Sequence, residues 1–158
     1  MKNAHVCLTT QEIEARLKGA GIQPTLQRIS ICRYVLCDAE HPTAEEIHAW
    51  AAKNLATISL ATIYNTLNTL VNAGLIKQFR FPVGDKVIYD NNLESHHHFF
   101  DTKTQKIIDI HIDRVEIETK LGKQFRVDDI KLFITGEMTG DPKTVNPNKN
   151  QKNKQRSS

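Results

Sequence analysis

The residues with the plainest chemical potential are three adjacent histidines, His96-His97-His98, followed by Phe99-Phe100. Side chains of an extended strand alternate, so His96, His98 and Phe100 share one face while His97 and Phe99 take the other. Two imidazoles two residues apart on a strand face can reach a single cation. A second β-type run, Lys106 to His111, follows Asp-Thr-Lys-Thr-Gln. A turn centred on Lys103-Thr104 sets His98 opposite Asp109 and His96 opposite His111, which adds a carboxylate oxygen to the two nitrogens. Asp90 ends a preceding β-type run. His41 lies far off in sequence, just before a helix. A shell of His41, Asp90, His96, His98 and Asp109 suits Fe(II), Mn(II) or Zn(II) and disfavours Cu(I). The competing reading is that strand histidines hydrogen-bond locally and hold no metal.

His97 points away from its neighbours and cannot share their ligand shell. With Glu116 it is a candidate second metal or haem site, against the plainer reading of two side chains satisfied locally. His48 and His111 read as surface or locally bonded histidines. Cys7, Cys32 and Cys37 form no Cys-x-x-Cys pair, and their default is a buried or inert thiol. Three cysteines exclude a four-cysteine structural zinc site by count. A small metal-dependent enzyme using the same histidines is the alternative of a different class. It has little support, since there is no His-Glu-x-x-His and no glycine-rich phosphate loop.

The elements that must carry these residues change character along the chain. Four helices are expected first. Thr10 can cap a segment with Ile13 and Leu17 one turn apart, ending at Gly19-Ala20-Gly21. Thr25 begins a second helix, with Leu26, Ile29, Val35 and Leu36 spread over an apolar face. Thr43-Ala-Glu-Glu46 is a capping box, in which hydroxyl and carboxylate satisfy each other's free amides. Ser59 caps a fourth helix with Ile63, Leu67, Leu70 and Val71 inward and Gly74 as its stop. Two β-type runs, Leu75 to Phe81 and Lys86 to Asn91, follow around Pro-Val-Gly-Asp. Helices followed by a two-stranded ribbon predict a winged helix-turn-helix. Beyond it, a small α/β module is expected, with a helix over 112–125 and a last strand over 130–134. The fold class is therefore α+β. The domains read as residues 1–90 for DNA binding, 91–140 for dimerisation and metal sensing, and 141–158 as a disordered basic tail. Modules with free sheet edges commonly form homodimers.

The fourth helix has an unusual outer face. Ala61, Thr62, Tyr64, Asn65 and Asn68 fall outward or on its flanks, and no charge occurs between Ser59 and Gly74. Small and hydroxyl-bearing residues let a helix enter the major groove; Asn reads an adenine edge and Tyr presses on a thymine methyl. Arg28, with Thr25 and Gln27, opens the second helix, where it could hold a phosphate.

Composition sets the outer limits. The 158 residues carry 39% hydrophobic and 25% charged side chains, as a globular protein does. No apolar run approaches the roughly 20 residues of a membrane helix, and the first residues lack an apolar signal core, so the expected location is cytoplasmic. The formal charge of +3 is unevenly spread. Residues 1–82 hold eight basic and six acidic side chains, residues 83–142 eight and twelve, and residues 143–158 five and none. The partial charges are thus +2, −4 and +5.

Taken together these motifs resemble the ferric uptake regulator superfamily of bacterial metal-dependent repressors. Gly21-Ile-Gln-Pro-Thr-Leu-Gln-Arg28, His41-Pro-Thr-Ala-Glu-Glu-Ile47 and Ser59-Leu-Ala-Thr-Ile-Tyr-Asn-Thr-Leu67 resemble its DNA-binding motifs. Tyr89-Asp90, Ser95-His-His-His98 and Ile107-Ile-Asp109 resemble its regulatory-metal motifs. The resemblance implies a homodimer that binds a double-stranded, AT-rich palindromic operator and represses iron-homeostasis or peroxide-stress genes. It implies base recognition by Ser59, Thr62, Tyr64 and Asn65, backbone contacts by Thr25, Gln27 and Arg28, and a regulatory Fe(II) or Mn(II) held by His41, Asp90, His96, His98 and Asp109. Two departures stand out. Asp101-Thr-Lys-Thr104 occupies the place of the first cysteine pair that holds structural zinc in many members, and Gln23 replaces a common basic residue. Asp109 resembles the peroxide-responsive repressors. The missing cysteines and His-His-His-Phe-Phe resemble the iron response regulators, so a haem-responsive iron regulator is the alternative.

Overall fold

The computed structural model describes residues 7–55 and 57–140; the tail expected over 141–158 lies outside them. The chain divides into two compact units, Met1–Leu93 and Glu94–Ser158.

In the first unit each helix begins where a side chain can satisfy free amides. Thr9 and Glu12 form a reciprocal capping box at the start of α1 (Thr10–Gly19). The cap is thus Thr9 rather than Thr10, because only Thr9 has a glutamate three residues on. Thr25 caps α2 (Leu26–Arg33) by accepting the Arg28 amide. The helix then widens into a π turn over Tyr34–Asp38, closed by the Ala39 amide on the Tyr34 carbonyl. Thr43 and Glu46 form the box that opens α3 (Ala44–Asn54). Ser59 caps α4 (Leu60–Asn72) through the Thr62 amide. Gly74, at φ +70°, takes the left-handed turn that ends α4, a conformation costly for other residues.

The inward faces of these helices make one core. Ile13, Leu17, Ile31, Ile47, Ile63 and Leu67 are fully buried. Tyr34 and Trp50 stack beside it with ring centroids 4.1 Å apart. The ribbon β1 (Lys77–Arg80) and β2 (Val87–Asp90) is antiparallel and pairs Lys77 with Asp90 and Arg80 with Val87. Helices α3 and α4 followed by this ribbon make the winged helix-turn-helix.

The second unit is a three-stranded sheet. β3 (His96–Asp101) and β4 (Lys106–His111) form a hairpin with His96 opposite His111 and His98 opposite Asp109, the register expected from the turn. β5 (Phe133–Gly136) runs parallel to β3 on its other side. The turn is held from within. Asp101 accepts the Lys103 amide at 3.0 Å and the Thr104 hydroxyl at 2.7 Å. Thr102 donates its amide to the Gly136 carbonyl at 2.8 Å, tying the turn to the end of β5.

The helix expected over 112–125 does not form. A 3-10 turn covers Ile112–Arg114, and residues 115–132 hold no regular element. The sequence explains why: Ile112, Val115, Ile117 and Thr119 are β-branched, Gly122 interrupts, and Val115 to Leu121 alternates apolar with polar or small side chains, the period of a strand. The last strand also starts at Phe133 rather than Ile130.

Burial in this unit inverts the usual order. His96, His97, His98, Asp101 and Asp109 are buried beside Phe100, while Ile117, Leu121, Phe125 and Val127 are exposed.

Candidate metal centre and nucleic-acid interface

In the second unit the hairpin aims two rings and a carboxylate at one point. His96 and His98 are two residues apart on the central strand, and their Nε2 atoms lie 2.9 Å apart. Asp109, from the neighbouring strand, brings Oδ1 to 3.4 Å from His96 Nε2 and 3.9 Å from His98 Nε2. The other nitrogen of His96, Nδ1, lies 2.8 Å from the Glu94 carbonyl. A carbonyl only accepts, so Nδ1 carries the proton and the Nε2 lone pair faces His98 and Asp109. This backbone contact selects the tautomer that can ligate. All three side chains are buried. Two imidazole nitrogens and a carboxylate oxygen, converging in a site shielded from water, fit a borderline divalent cation.

The first unit presents a second pair of ligand groups. His41 stands in the loop before α3 with φ +49°, a left-handed conformation rare for residues other than Gly, Asn, Asp and His. Its ring meets Phe79 edge-on, with centroids 6.4 Å apart. Asp90 ends β2, is buried, and accepts the Asn92 amide at 2.8 Å. Its neighbours fasten it in place. The Tyr89 amide donates to the Pro42 carbonyl at 2.9 Å, and the Asn91 side chain donates to the Val35 and Leu36 carbonyls in the π turn. The ligand atoms of His41 and Asp90 accordingly lie within 4.8 Å of each other. The π turn and its asparagine clasp went unread in the sequence; the only signal was an Asn directly after a candidate ligand.

The remaining candidates fall elsewhere. His97 is buried, and its Nδ1 accepts the Leu132 amide at 3.3 Å, so it holds the segment entering β5. Glu116 is exposed in the irregular stretch after β4. His48 Nε2 bonds the Ile58 carbonyl at 3.0 Å, and exposed His111 pairs with Asp113 at 3.2 Å. Burial pushes the Cys32 thiol up to about 11, and Cys37 likewise to about 11. Thiols so rarely ionised are poor ligands and poor nucleophiles at neutral pH.

The outer face of α4 is exposed at Ala61, Tyr64, Asn65 and Asn68, with Thr62 half-buried. Ser59 and Thr62 share a hydroxyl–hydroxyl bond of 2.9 Å at its first turn. At the start of α2, Thr25 and Gln27 are exposed, while Arg28 donates Nη1 to the Gln23 carbonyl at 2.9 Å. That bond uses one of five guanidinium donors and leaves the fork able to meet a phosphate.

No helix among the described residues is long and apolar enough to cross a membrane. Over 130 residues the chain is 37% identical to the peroxide-responsive repressor PerR of Staphylococcus epidermidis, covering 80% of this chain and 85% of that one. Its fold is similar to that of the ferric uptake regulator of Vibrio cholerae, with a TM-score of 0.64 at 23% identity over 79% of this chain and 98% of that chain. A zinc-bound manganese uptake regulator has a TM-score of 0.60 at 26% identity, over 80% and 98% of the two chains. Residues 19–135 match the ferric uptake regulator family. With that match, the winged helix-turn-helix and the His96–His98–Asp109 cluster, the chain belongs to the ferric uptake regulator family.

Proposed function

We propose that this protein is a metal-dependent transcriptional regulator that represses iron-homeostasis or peroxide-stress genes and binds an AT-rich palindromic operator as a homodimer. The observation that carries the reading is the convergence of His96 Nε2, His98 Nε2 and Asp109 Oδ1 on one buried point, with the His96 tautomer set by Glu94. A cation such as Fe(II) or Mn(II) supplies a multidentate bridge that no single pair of side chains provides.

In this scheme His96, His98 and Asp109 hold one side of the shell, and His41 and Asp90 complete it from the winged-helix unit. The five side chains together favour one arrangement of the two units, so metal affinity and operator affinity rise together. Dimerisation sets two copies of α4 about one DNA turn apart, as a palindrome requires. The exposed Ile117, Leu121, Phe125 and Val127 support a dimer, since so much apolar surface on one small unit is costly unless a second copy covers it. Ser59, Thr62, Tyr64 and Asn65 read bases, and Thr25, Gln27 and Arg28 hold the backbone. A gel shift on an operator selected from random DNA, run with Mn(II), Fe(II) and haem in parallel, tests the scheme. His41→Ala should keep the dimer and lose metal-stimulated binding. Equal operator affinity with and without metal in the parent protein would sink it.

Peroxide response is the finer reading, favoured by the similarity to the staphylococcal repressor. Peroxide treatment of iron-loaded protein should then add oxygen to peptides carrying His41, His96 or His98 and release DNA. Unmodified peptides with DNA still bound would argue for iron or haem as the signal.

A further inference from the structure

Tyr64, 37% exposed on the outer face of α4, donates its hydroxyl to Glu45 Oε1 at 2.7 Å. Glu45 stands in the first turn of α3, one residue before the glutamate of the capping box. The bond therefore links the two helices of the helix-turn-helix across 19 residues of chain. A tyrosine on an open helix face would otherwise move among several ring orientations, and ordering it on contact with DNA would cost conformational entropy.

We propose that Glu45 is a positioning residue, which fixes the Tyr64 ring in the orientation that contacts a thymine methyl. The inference rests on the proposed reading of Tyr64 as a base-contacting residue. Three observations support it. The bond is short and charge-assisted, since a phenol donates to a carboxylate. The Glu45 carboxyl is held below its ordinary value, first by the Tyr64 hydroxyl and then by its own amide, so it is ionised at neutral pH. Finally, Ala61 and Asn65 flank Tyr64 on the exposed face, so the ring stands among side chains small enough to let it approach a base. Lys86 contributes a weaker attraction to the same carboxylate.

The experiment uses the full-length protein with Mn(II) and an operator selected from random DNA by the parent protein. Each thymine is replaced in turn by deoxyuridine, which lacks only the C5 methyl, and affinity is read by fluorescence anisotropy at fixed salt. The thymine-to-uracil ratio at one position cancels any general effect of removing a negative charge near DNA. At one thymine per half-site the parent should lose about fourfold, the worth of one buried methyl. Tyr64→Ala should bring that ratio to about one. Tyr64→Phe, which keeps the ring, and Glu45→Ala, which keeps the tyrosine, should each lower it below about twofold. Glu45→Gln retains an acceptor and should keep the parent ratio. Circular dichroism melts confirm that each variant folds. If Tyr64→Ala abolishes the ratio while Glu45→Ala or Tyr64→Phe leaves it intact, the positioning role is overturned and base contact stands. A Glu45→Gln ratio as low as that of Glu45→Ala overturns the hydrogen-bond account. No ratio in the parent, or one that survives Tyr64→Ala, removes the base contact and the proposal with it.

Discussion

Thr104 donates its hydroxyl to the buried Asp101 carboxylate at 2.7 Å, across the turn of the β3–β4 hairpin. The same carboxylate accepts the Lys103 amide at 3.0 Å. A hydrogen-bonded aspartate thus closes the hairpin turn from within, beside the Thr102 amide that ties the turn to the end of β5.

These bonds, the Thr104 hydroxyl first, hold the Asp101 carboxyl below its ordinary value. The unfolded chain therefore takes up this proton more readily than the folded one. The contribution is complete above the ordinary carboxylate pKa of about 4 and is lost as pH falls through the lower folded value. Melting temperatures followed from about pH 6 to about pH 3 should fall further for the parent than for Asp101→Ala. Asp101→Ala should also melt lower at neutral pH. Identical pH profiles would show that the clasp contributes nothing.

His98→Ala and His96→Ala should each weaken Mn(II) binding by more than the roughly 10–100-fold that loss of an outer-shell partner costs. The exposed His111→Ala is the control and should bind as the parent does. Isothermal titration reads the affinities. Gel filtration should show the same oligomer for all four proteins.

Ser59 offers a separation of stability from recognition. Ser59→Ala removes the cap of α4 and should cost about 1 kcal/mol in urea unfolding. Ser59→Asp restores a good cap but sets a carboxylate against the phosphates. It should unfold like the parent while binding operator more weakly at low salt, with the deficit shrinking as salt rises.

The three thiols should alkylate in order of access. Cys7 is exposed, Cys37 half-buried and Cys32 fully buried, with burial raising the last two to about 11. Iodoacetamide at neutral pH should modify Cys7 first, then Cys37, and reach Cys32 only after unfolding, as peptide mass spectrometry would record. Early labelling of Cys32 would contradict its place in the core.

The helices of the first unit were legible because caps and apolar spacing are local signals that burial then reinforces. Ser59, Thr43 and Gly74 each stand where a helix starts or stops. The hairpin register was legible too, since strand alternation and turn length together leave little choice for His98 and Asp109. The β3–β5 pairing was not, because parallel contacts join segments with no local signal between them. The stretch from Ile112 to Phe125 misled because its apolar count suits a helix while its β-branched residues and alternation do not. For the candidate site, residue types and strand faces were readable. The Glu94 carbonyl that selects the His96 tautomer, and the Asn91 clasp beside Asp90, depend on backbone positions no side-chain pattern reports.

The hairpin turn has a second consequence, for fidelity. Three consecutive histidines would let β3 slide by one residue and still offer an imidazole to β4. Such a slip would set His97 opposite Asp109 and leave the carboxylate one ring instead of two. The Gln105 amide on the Asp101 carbonyl at 2.8 Å and the left-handed Gln105, at φ +59°, count out the turn and forbid that misreading. In a strand whose side chains repeat, the turn acts as the reading frame of the metal site. A single-residue insertion between Thr102 and Gln105 would be a frameshift in space.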